Sequence, residues 1–178
     1  MSEIDDLLAA YGRFVALPWR PNLAGPQRVW IAVYSPTQER RIRHRVAEFE
    51  LATKQAGHGW RLHDLTDAFP LWLGSLEYVE SYFEKPKALS TALGGFVDTV
   101  VSEVTEFLQG SGEGDVVALL GVGALYPYCR VSQVIEAVNA SVPGRLLVFF
   151  PGVYSNNVYR LLNARDGWNY MAVPITAG

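Results

Sequence analysis

The sequence predicts an α/β protein with three layers, a mostly parallel sheet of about five strands between helices. Three observations carry this. Apolar runs of strand length alternate with amphipathic helical segments along the chain. Two of those runs, "VVALLGVG" and "RLLVFFPG", are continuously apolar, as strands are when both faces of the sheet are covered. At 178 residues, 49% hydrophobic and 19% charged, the chain has enough apolar side chain for one packed core. We therefore expect a single domain over 1–178, with an N-terminal helix (1–16), a connector (17–27) and an α/β core (28–178).

Each element has its own signal. Ile4, Leu7, Leu8, Tyr11, Phe14 and Val15 recur at helical spacing, and Ser2 with Asp5 three residues on is a capping pattern. "ALPWRPNLAGPQ" (16–27) holds three prolines and a glycine and breaks regular structure. "RVWIAVYSP" (28–36) reads as the first strand, and 37–55 as a helix with Ile42, Val46, Phe49 and Thr53 on one face. "WRLHDLTDAF" (60–69) supplies a second strand and its exit loop, followed by helices over 74–84 and 88–108. "VVALLGVG" is the third strand, with a helix over 127–140 that Pro127 opens at its first position. "RLLVFFPG" (145–152) is the fourth strand. A short helix over 156–164, capped by Ser155, Asn156 or Asn157, and a last strand over 168–175 complete the order.

A parallel sheet of this kind gathers its functional loops at the carboxyl ends of the strands. Those ends are Ser35–Pro36, "DLTDAF", "GVGALYP" and "PGVYSNN". The third resembles a phosphate-binding loop, but a dinucleotide fingerprint needs a third glycine where Tyr126 stands, and Pro127 follows. No GxxxxGK[ST] is present. The fold is thus expected to be Rossmann-like, or P-loop-like without a P-loop. Gly121, Gly123, Tyr126, Gly152, Tyr154 and Asn156 are the candidate ligand contacts, to be weighed against a plain structural use as turns.

Other chemistry has less support. His58 and His63 do not form a chelating pair, no HExxH occurs, and only Asp64, Asp67 and Asp166 offer a metal-dependent hydrolase its carboxylates. The one cysteine, Cys129, excludes an internal disulfide. At a helix start it is either a thiol with lowered pKa or, as its apolar neighbours favour, a core residue. No Gly-x-Ser-x-Gly elbow is present. Neither a metal nor a cofactor is expected.

The formal charge of −3 does not suit a protein coated for nucleic acid. The one dense charge run, "ERRIRHRVAEFE", offers Arg40, Arg41 and Arg45 either as a solvated face with local pairs to Glu48 or as a docking surface for an acidic partner or DNA phosphates. Trp72, Tyr78, Tyr82 and Phe83 crowd the middle helices beyond what one helix face can bury, which points to a protein interface. The acidic N-terminus is unlike a secretory signal, and no apolar run reaches the length of about 18–20 residues that spans a bilayer. A cytoplasmic location is expected.

The last third of the chain carries a resemblance. "DVVALLGVGALYPYCRVSQVIEAVN", "LLVFFPGVYSNNVYRLL" and "NYMAVPI" resemble the BrxB family of the bacteriophage exclusion (BREX) defence systems. The matching positions are Gly121, Gly123, Tyr126, Pro127, Pro151, Gly152, Tyr154, Asn169 and Tyr170, with a looser fit at "WIAVYSP" and "HDLTDAF". Two departures stand out: Ser155-Asn156-Asn157 replaces a turn that is often Asp-Gly, and Met171-Ala172 replaces a basic residue. The resemblance implies a small component of a multi-gene anti-phage system without a catalytic motif of its own. Its implied role is that of an adaptor contacting a PglZ-type protein or the large ATPase. A nucleotide- or phosphate-binding regulator is the alternative from another class.

Overall fold

The computed structural model describes residues 1–164 and 167–178. Helix α1 (Glu3–Val15) leads into strand β1 (Val29–Tyr34) and helix α2 (Glu39–Gln55). Strand β2 (Gly59–Asp64) is followed by three helices, α3 (Ala68–Ser75), α4 (Val79–Glu84) and α5 (Pro86–Gln109). Strand β3 (Asp115–Leu120), helix α6 (Val131–Val138), strands β4 (Arg145–Ser155) and β5 (Val158–Leu161) and the short β6 (Val173–Ile175) complete the chain.

Strands β2, β3, β4, β1 and β6 lie side by side in that order, and every one of those pairings is parallel. The order differs from the Rossmann order 3-2-1-4-5-6. From β1 the chain crosses to the far edge at β2, then returns through β3 to β4. Parallel crossovers are right-handed, so reversing direction moves the helices to the other face. That is why α1 and α2 cover one face while α3, α5 and α6 cover the other.

The period of two along each strand divides the core accordingly. Val29, Ile31 and Val33 of β1 join Val117, Leu119, Leu146 and Val148 under Phe96, Val100 and Val104 of α5. Trp30, Ala32 and Tyr34 join Val116, Ala118, Leu147 and Phe149 under Leu7, Tyr11, Ile42 and Phe49. The two amphipathic helices of the second face are also tied by a buried hydrogen bond of 2.7 Å between Tyr11 Oη and Thr53 Oγ1. The expected cap holds: Ser2 N–H donates to Asp5 Oδ2 at 2.8 Å and Asp5 N–H to Ser2 Oγ at 3.3 Å.

Three local expectations are corrected. The segment 156–164 is no helix: β4 runs on past the sheet and turns at Asn156-Asn157 into β5, an antiparallel hairpin with Tyr154 opposite Tyr159. Asn156 and Asn157 have φ of 51° and 63°, the left-handed pair that a two-residue hairpin turn requires and that Asn tolerates. Pro127 does not open a helix; a short 3₁₀ turn over Val122–Leu125 precedes it, and α6 begins at Val131. The expected strand over 168–175 shrinks to Val173–Ile175, with Trp168 bridging to Tyr159 alone.

Candidate functional site

The sheet brings the four strand ends to one edge, where Pro36, Thr66, Gly121, Gly123 and Pro151 line a cleft of about 300 Å³ together with Glu39 and Arg43 of α2. Its floor is a polar network. Arg43 donates from Nε to Glu39 Oε1 (3.0 Å) and from Nη1 to Asp64 Oδ2 (2.9 Å), and Nη2 donates to Thr66 Oγ1. Thr66 N–H and Oγ1 both donate to Asp64 Oδ1, at 3.0 and 2.5 Å. Tyr34 Oη donates to Glu39 Oε2. Partial burial works to raise the Asp64 carboxyl, but hydrogen bonds from Thr66 and Arg43 outweigh it and hold the group below its ordinary value. Burial, then the neighbouring Glu39, push the Tyr34 phenol well above its usual range.

This network is closed on itself. Each nitrogen of the Arg43 fork already faces an oxygen of the protein, and Asp64 is held as a carboxylate, a poor base. Gly121, with φ of 79°, is fitted to the network rather than to a ligand. A Cβ there would lie 2.4 Å from Thr66 Oγ1 and 2.6 Å from Asp64 Oδ1. Gly152 is fixed by the hairpin, where a Cβ would meet Arg160 O at 2.1 Å. Gly123 has no such demand, its nearest neighbour being Pro151 Cγ at 3.2 Å from a built Cβ.

The six candidate ligand contacts therefore fall apart in space. Gly121 and Gly123 line the cleft. Tyr126 is 47% exposed and lines a separate cavity of about 560 Å³ between the start of α6 and the hairpin, with Phe150, Tyr159 and Trp168. Gly152, Tyr154 and Asn156 belong to the hairpin, where Tyr154 Oη donates to Asn157 Oδ1 at 3.1 Å. Cys129 is buried, and burial pushes its thiol up to about 11, so at neutral pH it is a thiol in the core. Among the described residues no group of three or more His, Cys, Asp or Glu converges on a point; Asp166, the third carboxylate considered for a metal, lies outside them.

The arginine run resolves into pairs. Arg45 bridges α2 to α1 through Asp5 (Nη1 to Oδ1, 2.6 Å) and also donates to Glu48 on its own helix. Arg40 and Arg41 are exposed, and Arg41 reaches only Gln38, at 3.5 Å. Arg43, which has no distinguishing mark within the charge run, links the elements of the cleft. Its i, i+4 spacing from Glu39 was a readable signal, but its contact with Asp64 joins residues on two separate elements.

The aromatic helices divide as well. Trp72 is 8% exposed and packs on Phe96 with ring centroids 5.2 Å apart, and it also lines the groove beside these helices. Tyr78 and Phe83 are 68% and 67% exposed, Leu71 is 72% exposed, and Tyr82 is half-buried. No residue from Leu73 to Gly95 is buried. Beside these helices a groove of about 830 Å³ is lined by five carboxylates, Asp64, Asp67, Asp98, Glu103 and Glu106. His63 Nε2 lies 3.3 Å from Glu103 Oε1. No helix is long and apolar enough to cross a membrane among the described residues.

No curated protein matches the chain, and no solved structure does. A family model does match, that of BREX protein BrxB, over residues 76–175. The matched span begins just after α3 and runs to β6, so it takes in α4, the Gly121–Pro127 loop and the hairpin but leaves out α1, β1, α2, β2 and α3. It covers more than half of the chain, and the chain belongs to the BrxB family.

Proposed function

We propose that this chain is a non-catalytic adaptor or assembly subunit of a BREX-type anti-phage system, docking another component through α3, α4 and the groove beside them. Family membership supports a place among BREX components. One observation carries the adaptor reading. No residue from Leu73 to Gly95 is fully buried, although Leu73, Leu76, Leu89, Ala92 and Leu93 pack in part against the core, and Leu71, Tyr78 and Phe83 hold large apolar side chains in water. Helices gain most of their stability by packing an apolar face, and an exposed apolar patch marks an interaction surface. The flanking carboxylates of the groove define the partner: an apolar contact rimmed by Lys and Arg.

A PglZ-type protein and the large ATPase of the same system are the partners proposed. A nucleotide regulator is the lesser reading, because the charge of Arg43 in the carboxyl-edge cleft is already paired with Glu39 and Asp64. The test is pairwise binding of the purified chain to each purified component. The expected result is a stable complex with one of them, weakened at least tenfold by the double substitution Tyr78→Ser with Phe83→Ser, about the effect of losing two interface anchors. Absence of binding to both components, together with a rise in Tm on adding ATP or ADP, would replace the adaptor by the regulator.

A further inference from the structure

The amino edge of the sheet, opposite the strand ends described above, holds two arginines that form no ion pair among the described residues. Arg145 opens β4 and is 6% exposed. Its Nη1 donates to Gly144 O at 2.9 Å and its Nη2 to Arg20 O at 3.1 Å, and its guanidinium lies 4.6 Å from the centroid of the Trp19 ring. Arg28, just before β1, donates from Nε to Leu23 O at 3.1 Å and from Nη1 to Val142 O at 2.9 Å. Every one of these acceptors is a backbone carbonyl. Glu113 borders the same cleft and pairs with neither arginine.

Carbonyl dipoles orient a guanidinium but bring no opposite charge, and a buried cation is costly without one. The two arginines also repel: burial first, then the charge of Arg28, lower the Arg145 pKa. Each guanidinium has five N–H donors, more than its carbonyl partners take up. A third donor stands with them. Trp19 lines the cleft, and its indole Nε1 is buried with no hydrogen-bond partner.

We propose that this cleft, of about 300 Å³, is a binding site for a phosphate-type oxyanion, held by Arg28, Arg145 and the Trp19 indole N–H. A dianion offsets two guanidinium charges where a carboxylate offsets one. Size and stacking exclude a base-stacked nucleotide: the Trp19 ring already packs against His58, 3.6 Å between centroids at 5°, and against the Arg145 guanidinium. The occupant is therefore free phosphate or a small phosphomonoester. Because Arg145 and Arg28 hold the connector through Arg20 O and Leu23 O, a bound anion would also fasten that connector to the sheet.

The experiment follows the Trp19 indole N–H resonance, assigned by its loss in Trp19→Phe, as inorganic phosphate is added against chloride at equal ionic strength. The expected result is a saturable shift with phosphate and none with chloride. Arg145→Gln should abolish it. Should that variant fail to fold, Trp19→Phe, which keeps an aromatic ring but removes the indole N–H, tests the site by weakening phosphate affinity about tenfold as read from the other shifted amides, the worth of one hydrogen bond to a charged group. A shift with methyl phosphate equal to that with phosphate assigns a phosphomonoester, and a shift with phosphate alone assigns the free anion. No saturable shift in the wild-type protein, or affinity unchanged in a folded Trp19→Phe, overturns the proposal.

Discussion

Gly121 shows how closely a single residue is fixed by the fold around it. The loop Leu119–Val131 has the look of a ligand loop, yet the glycine with a positive φ is the one that lets the Asp64–Thr66 turn approach within hydrogen-bonding range. Gly121→Ala should cost about 1–3 kcal/mol from backbone strain alone, before the contact with Thr66, and denaturant unfolding measures it. Gly123→Ala should cost less than Gly121→Ala in the same assay, since Gly123 has only Pro151 Cγ to displace by a few tenths of an ångström. Asp64 gives a second test at this scale. Its folded pKa is lowered, so its contribution is present above the ordinary carboxylate range and fades as pH falls through the folded value. Asp64→Asn should therefore lose about 1 kcal/mol or less at pH 7, for a pair that is partly exposed, and the difference from wild type should disappear in strong acid. The two glycines were visible in the sequence as turn formers. Their unequal strictness was not, because it depends on which neighbour a distant strand end brings close.

Among the elements, the strands β1, β3 and β4 were legible as continuous apolar runs of strand length, and the long helices α1, α2 and α5 by a period of 3.6. The hairpin was misread. Ser-Asn-Asn after an apolar strand satisfies a helix cap, and the same residues satisfy a turn with two left-handed positions. What decides is the alternation that continues on both sides, with Tyr159 and Leu161 buried and Arg160 exposed. Replacing Asn156 or Asn157 by Val should cost about 1–2 kcal/mol each, the penalty of a left-handed backbone for a side chain with a Cβ. Asn157→Gly should cost less than Asn157→Val, since glycine takes the left-handed backbone freely and gives up only the exposed Tyr154 hydrogen bond and some chain entropy. Thermal unfolding of the purified variants distinguishes these outcomes. The arginine run of α2 was likewise legible as charge, but its partners were not: Asp5 comes from α1 and Asp64 from β2, and only the packed faces bring them to the helix.

For the whole molecule, the topology explains why a fold with its loops gathered at one edge need not bind at that edge. The strand ends meet as expected, but the polar groups there are consumed by Arg43, Asp64 and Thr66. Three large exposed apolar side chains, Leu71, Tyr78 and Phe83, lie elsewhere, in α3 and at α4, and the matched family span begins between those helices. These helices are the face proposed for docking a BREX component. Amide hydrogen exchange of the chain, alone and in complex with the PglZ-type protein or the large ATPase, tests it most directly. The helices should exchange readily in the free chain, because they bury so little, and slow on complex formation across residues 68–95. A complex that leaves 68–95 unchanged and protects the carboxyl-edge loops instead would contradict it.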